Sequence, residues 1–200
     1  MRVTLEDLGH KFPRQPFLFR GLTMSLQAGR VYALVGPSGS GKSTLLSILT
    51  GWLKPTEGIV CFESVERVGW VFQNPNGVPY RTAIDHVMLP FLVRGLSRTQ
   101  ALPEAMKLMS EFSLAEVTGR EFSALSGGEA QRLMLARGLA AQPHLFLVDE
   151  PTAQLDTQTA QTVNSSLNAL TRDQTIVVVA THDQHTRDAC TDVIDLEAYI

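Results

Sequence analysis

A chain of 200 residues, 44% of them hydrophobic, is long enough for one sizeable core or for a core with an attached subdomain. Its 17 basic and 20 acidic side chains leave a net charge of −3, which disfavours nucleic acid as a partner. Two cysteines, Cys61 and Cys190, provide neither a disulfide framework nor a zinc site, so we predict a reducing, cytosolic setting.

The N-terminal segment alternates strand-like pieces with turns, and it begins without the apolar core of a signal peptide because Glu6 and Asp7 come early. The stretch 12–17 contains two prolines, so it is predicted to be neither a helix nor a central strand. Phe12 within it is either a platform for an adenine ring or an aromatic side chain packed in its own loop. Three strands are predicted in this segment, at 3–5, 22–26 and 31–35.

A phosphate-loop pattern follows the third of these strands and precedes a helix-compatible run at 44–50. Its glycines let the backbone turn tightly with N–H groups pointing inward, which makes a cage for phosphate oxygens at a helix N-terminus. Lys42 is expected to reach the β- and γ-phosphates, and the Ser43 hydroxyl to bind the Mg²⁺ that bridges them. The alternative, a surface turn rich in glycine and serine, is disfavoured by the flanking strand and helix. The predicted nucleotide-binding residues here are Gly36, Pro37, Ser38, Gly39, Ser40, Gly41, Lys42, Ser43 and Thr44.

Beyond this loop the pattern changes from strands to helices. Strands are predicted at 59–62 and 68–72, and Gln73 stands at the end of the second. Between 81 and 120 apolar residues recur at helical intervals, which predicts a helical insertion in an α/β core. We therefore divide the chain into a nucleotide-binding core, 1–80 and 143–200, and a helical subdomain, 81–142.

Two features of the helical insertion concern its prolines. The most apolar run of the chain, 87–93, is short and contains Pro90, so no membrane span is predicted. The stretch 97–100 has the pattern of a capping box, but Pro103 would then lie inside the helix and remove one of its hydrogen bonds. The start of that helix is therefore left open.

A second pair of glycines, Gly127 and Gly128, stands just ahead of a helical run predicted at 131–141. Backbone donors at such a helix N-terminus suit an anion, and Ser126 precedes them. Because one chain needs only one phosphate cage, this second helix end is predicted to serve the nucleotide of another copy. A helix capped by serine, with the glycines as a simple turn, is the alternative.

Two adjacent acids follow the apolar strand predicted at 145–148, whose continuous hydrophobicity is typical of a central parallel strand. Ligands of open α/β sheets bind at the carboxyl ends of such strands. Asp149 is therefore expected to hold Mg²⁺ or its water, and Glu150 to polarise the attacking water as a general base. Solvated turn residues are the alternative, which the upstream phosphate loop disfavours.

A further buried strand is predicted at 175–180, and it brings His182 to the same edge of the sheet as Asp149. There His182 is expected to contact the γ-phosphate. A metal site formed with His185 is disfavoured, since neither a cysteine nor a third ligand is near. The last predicted strand, 193–196, is expected at the sheet edge.

The order of these motifs resembles that of the ATP-binding subunit of ABC transporters, and the resemblance covers about 3–196. It implies a P-loop NTPase fold, α/β with a mostly parallel sheet flanked by helices, an N-terminal antiparallel β-region and an inserted helical subdomain. It also implies that Phe12 stacks on adenine and that Asp156 lies in a loop between subunits. Gln73 corresponds to the glutamine that contacts Mg²⁺ and signals to the membrane domain. The catalytic set is then Glu150, His182 and Gln73, and the metal set is Ser43, Gln73 and Asp149.

The resemblance further implies how such a chain works. ATP and Mg²⁺ are the expected ligands, and Ser126, Gly127 and Gly128 of one subunit face the γ-phosphate bound by the other in a head-to-tail dimer. The expected partners are a transmembrane permease and a second copy or paralogous subunit, at the inner face of the cell membrane. The stretch 58–73 is shorter than is usual in the family, which implies a trimmed antiparallel region near adenine.

Within the family, 81–90 and 94–95 resemble the subgroup that serves lipoprotein release, macrolide efflux and cell division. A transport ATPase of the exporting or releasing kind found in that subgroup is thus one hypothesis for the function. A second is a non-transport ATPase that transmits a conformational change to a membrane partner. A phosphoryl-transfer kinase is the third, and the second anion-binding helix end argues against it.

Overall fold

The computed structural model describes residues 1–152, 160, 161, 163, 165 and 175–200. In chain order its strands are β1 (Arg2–His10), β2 (Phe19–Gln27), β3 (Arg30–Val35), β4 (Glu57–Glu63), β5 (Val68–Val71), β6 (Leu145–Asp149), β7 (Ile176–Ala180) and β8 (Asp192–Asp195). The α-helices whose bounds the structure describes are α1 (Lys42–Leu49), α2 (Ala83–Val93), α3 (Arg98–Glu111), α4 (Gly127–Ala140) and α5 (Gln184–Asp188).

Two sheets organise the chain. Five strands form a parallel sheet in the order β5-β6-β7-β3-β8, and an antiparallel sheet has the order β2-β1-β4. This arrangement confirms the predicted fold class and the edge position of the last strand. Because β3, β6 and β7 are neighbours that run in the same direction, the segments after their carboxyl ends meet at one edge of the sheet.

Each face of the parallel sheet has its own core, since alternate residues of a strand point to opposite faces. Phe146 and Val148 of β6 belong to a cluster that includes α2, α3 and α4. Leu145 and Leu147 belong to a second cluster with α1 and the antiparallel sheet. Burial on both faces explains why this strand is continuously apolar in the sequence.

The first strand is longer than predicted, Arg2–His10 instead of 3–5. Its pairing with β2 shifts register between Leu5 and Leu8, and Asp7 there has a φ of 50°. Such a bulge interrupts the alternation of buried and exposed residues, so the sequence pattern ends where the strand does not.

The start of α3, which the sequence left open, is fixed by a capping box at Ser97. Ser97 caps this helix, and its backbone N–H donates to Gln100 Oε1 at 3.0 Å in a capping box. Pro103 lies inside the helix, as the capping box requires. Pro103 and Thr99, whose carbonyl loses its donor, are both on the exposed side, where water can replace the missing N–H. No helix in the described part of the chain has the length and hydrophobicity needed to cross a bilayer.

Candidate nucleotide-binding site

A cleft of about 480 Å³ lies at the carboxyl edge of the parallel sheet, where the segments after β3, β6 and β7 meet. This volume falls in the range of small-molecule sites. The cleft brings together most of the predicted site residues. Its lining consists of Phe12, Gln15, Leu18, Ser38, Gly39, Gly41, Lys42, Ser43, Thr44, Gln73, Asp149, Glu150 and His182.

The loop between β3 and α1 takes a backbone path that requires glycine at two positions. Gly36 has a φ of 146°, and a Cβ there would lie 2.7 Å from Ser40 Oγ. Gly41 has a φ of 98°, and a Cβ there would lie 3.0 Å from the Phe19 ring. The loop therefore depends on residues without side chains at both ends of its turn.

Gly41 is also the N-cap of α1, so no side chain occupies the first-turn N–H groups. No acidic residue stands in that first turn. Free backbone donors and the positive end of the helix dipole make this a site for phosphate oxygens. Lys42 Nζ donates to the carbonyls of Gly36 at 2.8 Å and Pro37 at 3.2 Å, which holds its charge over the same loop.

The remaining loop residues lie at the margin of the cleft. Ser40 is buried, and its N–H donates to the Pro37 carbonyl at 3.2 Å. Pro37 is exposed, and Gly36 lines an adjoining cleft of about 240 Å³ together with His182. Gly36, Pro37 and Ser40 are therefore part of the loop but do not line the cleft itself.

Asp149 and Ser43 are hydrogen-bonded neighbours in the lining of the cleft. The Ser43 hydroxyl donates to Asp149 Oδ2 at 2.9 Å. Burial raises the pKa of Asp149, and the neighbouring Glu150 charge adds to this, while the Ser43 hydrogen bond and Lys42 oppose it. A desolvated carboxylate beside a hydroxyl is a donor set that a hard cation such as Mg²⁺ would complete. The residues present therefore fit that ion.

Asp149→Asn is expected to raise the melting temperature of the nucleotide-free protein at neutral pH, because it removes a half-buried charge. The folded-state pKa of Asp149 is raised, so the stability linked to its proton is present below the unfolded pKa of about 3.9 and is lost as pH rises through the folded value. Melting curves in EDTA should therefore show a difference between variant and wild type that grows as the pH rises through this window. A lower melting temperature for the variant at pH 7 would contradict this. The Asp149→Asn protein should also gain less from Mg²⁺ and ATP than wild type does.

Glu150 and His182 approach each other across the ends of β6 and β7. His182 Nδ1 lies 2.8 Å from Glu150 Oε2, and the Glu150 N–H donates to the Ala180 carbonyl at 2.9 Å. Glu150 has a φ of 49°, in the left-handed region that costs a residue with a side chain about 1–3 kcal/mol. The neighbouring strand thus holds a strained backbone that aims this carboxylate into the cleft.

The surroundings of Phe12 are compatible with both interpretations that the sequence left open, and stacking on adenine stays a prediction. Its ring lies edge-on to that of His10, with centroids 5.0 Å apart, so it is packed in its loop. It also lines the cleft and is 40% exposed. Sequence reasoning missed Gln15 and Leu18 beside it. The Leu18 N–H donates to the His10 carbonyl at 2.9 Å, which folds the loop back toward the cleft.

Phe12→Ala is expected to raise the KM for ATP about tenfold, since stacking of a base on an aromatic ring contributes about 1–3 kcal/mol. Phe12→Tyr keeps the ring and should change KM less than twofold. Steady-state ATPase assays check both variants. An unchanged KM for Phe12→Ala would exclude stacking on adenine and leave Phe12 with a role in packing its own loop only.

The second glycine pair differs from its prediction in one respect. Gly127 and Gly128 form the first turn of α4 instead of preceding a helix at 131, because a capping box fixes the start. The Ser126 N–H donates to Glu129 Oε2 at 2.7 Å, and the Ser126 hydroxyl accepts from the Glu129 N–H at 3.3 Å. Burial opposes ionisation of Glu129, but the bonds from Ser126 and the charge of Arg120 outweigh it and lower the pKa.

This helix end does not belong to the cleft. Ser126 and Gly127 are exposed, and neither they nor Gly128 are among the described residues that line it. Asp156 lies outside the described residues. No cluster of metal-ligating side chains is present in the described part of the chain, where His185 lies in α5.

Comparison with known proteins places these features in context. Residues 19–153 match the model of a family described as ABC transporter. The lipoprotein-releasing system ATP-binding protein LolD of Saccharophagus degradans is 36% identical over 202 positions, which cover 93% of this chain and 89% of LolD. An uncharacterized ABC transporter ATP-binding protein of Mycobacterium tuberculosis is 38% identical over 88% of this chain, which spans 58% of the length of that relative. Among solved structures, the ATP-binding cassette MJ0796, as a post-hydrolysis dimer bound to ADP and Pi, has a TM-score of 0.86 and 29% identity, with 96% of this chain and 93% of that one covered.

Proposed function

The chain belongs to the ABC transporter family, and on that premise we propose that it hydrolyses ATP as one subunit of a head-to-tail dimer that energises a separate membrane permease. The observation that carries the proposal is the division of its anion-binding groups. The phosphate loop, Glu150 and His182 share one cleft, whereas the first turn of α4, which Ser126 caps and Gly127 begins, lies outside it. Such a chain needs a second subunit to complete each site.

Binding of ATP is assigned to the two ends of the cleft. The N–H groups of the phosphate loop and Lys42 Nζ hold the phosphates, and the Phe12 ring covers one face of the adenine. Ser43, Asp149 and Gln73 would hold Mg²⁺ through oxygen atoms. When bound, this ion neutralises charge that develops on the phosphate oxygens.

Hydrolysis is assigned to Glu150, which accepts a proton from the attacking water as a general base. His182 Nδ1 lies 2.8 Å from this carboxylate, and both side chains line the cleft beside the phosphate loop. Once ATP is bound, we propose that His182 turns its exposed ring toward the γ-phosphate. This arrangement gives each of the two side chains at the strand ends a separate task.

Coupling follows from the shared sites. Ser126, Gly127 and Gly128 of one subunit would donate to the γ-phosphate bound by the other, so two ATP molecules favour the closed dimer. Hydrolysis and release of phosphate remove those contacts, and the dimer reopens. The dimeric state of the related cassette bound to ADP and Pi supports this scheme. The second subunit is either an identical chain or a paralogue.

The proposed contact that transmits the conformational change to the permease is an apolar groove between β5 and the helices α2 and α4. The groove has a volume of about 640 Å³, and its lining includes Phe72 and Asn74, the residues on either side of Gln73. We propose that a cytoplasmic segment of the permease docks there, which places the ATPase at the inner face of the cell membrane. Its apolar lining includes Val68, Trp70, Phe72, Leu89, Val93 and Met134.

Export or release is the direction we propose, because the chain is similar over almost its full length to an ATP-binding protein of a lipoprotein-releasing system. The test is to trap tagged Glu150→Gln protein with ATP in its native membranes, solubilise them gently and identify what co-purifies by mass spectrometry. A permease with several membrane spans supports the proposal. Recovery of soluble proteins only would contradict it, and a membrane partner that moves no solute would indicate a non-transport ATPase.

A further inference from the structure

One end of the nucleotide cleft, which we call its base end, is lined by Phe12, Gln15 and Leu18. The other described lining residues belong to the phosphate loop or stand at the ends of β5, β6 and β7. Phe12 supplies an aromatic ring and Leu18 an aliphatic side chain, so both offer apolar contact to a base. Gln15 is the one polar side chain of these three, so recognition of a base by a side-chain hydrogen bond at this end would fall to Gln15.

A tight turn holds Gln15 next to Phe12. The Gln15 N–H donates to the Phe12 carbonyl at 3.0 Å, and between them stand Pro13 and then Arg14, which has a φ of 63°. Proline at the second position and a positive φ at the third are features of a type II β-turn, which brings its first and fourth Cα atoms within about 7 Å. Pro16 follows and restricts the backbone of Gln15 as well. The loop therefore presents Phe12 and Gln15 side by side, with little backbone freedom left to lose on binding.

The Gln15 amide is free to bind a ligand. The residue is exposed, and its side chain makes no hydrogen bond within the described part of the chain. Two nearby cations lie over the Phe17 ring, with Lys11 Nζ and Arg20 Cζ each 4.9 Å from its centroid. Neither they nor Arg14 are among the described residues that line the cleft. The described lining of the base end therefore has an amide and no cation.

An amide and a cation recognise different purines. At its N7 edge adenine presents the N7 acceptor and the N6 amino donor, which a glutamine amide matches with one donor and one acceptor. Guanine presents two acceptors there, N7 and O6, which match the donors of arginine or lysine. A base end whose described polar side chain is Gln15 thus suits adenine better than guanine.

We propose that Gln15 makes the site selective for adenine over guanine, because its Nε2 donates to N7 of the base and its Oε1 accepts from the N6 amino group. This inference rests on the proposed function, since it takes the base to stack on Phe12. With guanine, Oε1 would face O6, which is another acceptor. Turning the amide over only moves the mismatch to N7, so guanine gains one of the two hydrogen bonds at most.

The test measures kcat/KM of the full-length protein for ATP, for GTP and for 7-deaza-ATP, which lacks the N7 acceptor. The wild type should prefer ATP over GTP about tenfold or more, in keeping with a bidentate contact to the base. It should use 7-deaza-ATP about two- to tenfold less well than ATP, which is the effect of one neutral hydrogen bond. Equal values for ATP and GTP would overturn the inference while leaving the ATPase assignment standing. Absence of hydrolysis with every nucleotide would contradict the proposed function as well.

Variants of Gln15 separate recognition of the base from a merely structural role. Gln15→Ala should lower kcat/KM for ATP to about the value for GTP, and Gln15→Arg should reverse the preference, because a guanidinium donates to both N7 and O6 of guanine. Gln27→Ala, a matched change at an exposed glutamine outside the described cleft lining, should keep the wild-type ratio. A loss of stability would lower the values for all nucleotides together and leave their ratio unchanged. A wild-type ratio of ATP to GTP in Gln15→Ala would refute the role of Gln15.

Discussion

Glu150→Gln is expected to lower the ATP turnover rate by about 100- to 10,000-fold, the range that a general base contributes, while the affinity of the monomer for ATP changes little. The amide keeps the shape of the side chain but accepts no proton from water. The γ-phosphate then persists in the cleft, so the donors at Ser126 of a second subunit stay engaged. A dimer that is stable on gel filtration with ATP, and falls apart with ADP, is the expected companion result.

His182→Ala is the matched control for this result, because it removes the group 2.8 Å from the Glu150 carboxylate and leaves the carboxylate itself. Its turnover should fall less than that of Glu150→Gln. Single-turnover assays with radiolabelled ATP, combined with light scattering, measure cleavage and association together. A Glu150→Gln protein that retains wild-type turnover and stays monomeric would end the shared-site mechanism.

Gly128→Asp is expected to lower ATP turnover by about 100-fold or more without weakening the binding of ATP to the isolated subunit. Position 128 lies in the first turn of α4, where an added carboxylate suits the helix dipole, so the fold should not suffer. Opposite the γ-phosphate of a partner, however, the same charge opposes closure by several kcal/mol at contact distance. Gly128→Asp is therefore expected to impair a contact that forms only in the dimer and that ATP binding to the monomer does not require.

Gly128→Ala separates the effect of charge from that of a side chain. It should lower turnover much less than the aspartate, while both variants keep the wild-type melting temperature. Equilibrium binding of a fluorescent ATP analogue at low protein concentration reports the monomer, and turnover against protein concentration reports the dimer. Weakened monomer binding by Gly128→Asp would place this helix end in the subunit's own cleft instead.

The sequence predicts which residues meet in the cleft because its signals are local. Glu150 and His182 each follow a strand that is apolar without interruption, and parallel strands bring their ends to one edge. The family resemblance is confirmed by the match over residues 19–153. The individual site residues remain predictions that the variants above test, and Asp156 lies outside the described residues.

Features that depend on longer-range packing are harder to predict from the sequence. Gln15 and Leu18 reach the cleft only because their loop folds back, and no periodicity encodes that. The first turn of α4 was misplaced because glycine disfavours helices, whereas the reciprocal bonds between Ser126 and Glu129 set the helix start. The capping box, which spans the four residues from Ser126 to Glu129, outweighs the low helix propensity of the two glycines.

The helix α4 contributes to two separate surfaces of the protein. It has 14 residues, and at 1.5 Å per residue it is about 20 Å long. Gly127 at one end faces outward where a second subunit would sit, and Met134 and Arg137 toward the other end line the apolar groove. Under the proposed function, a tilt of α4 at its Gly127 end would shift the groove lining at its other end directly, because one continuous helix carries both.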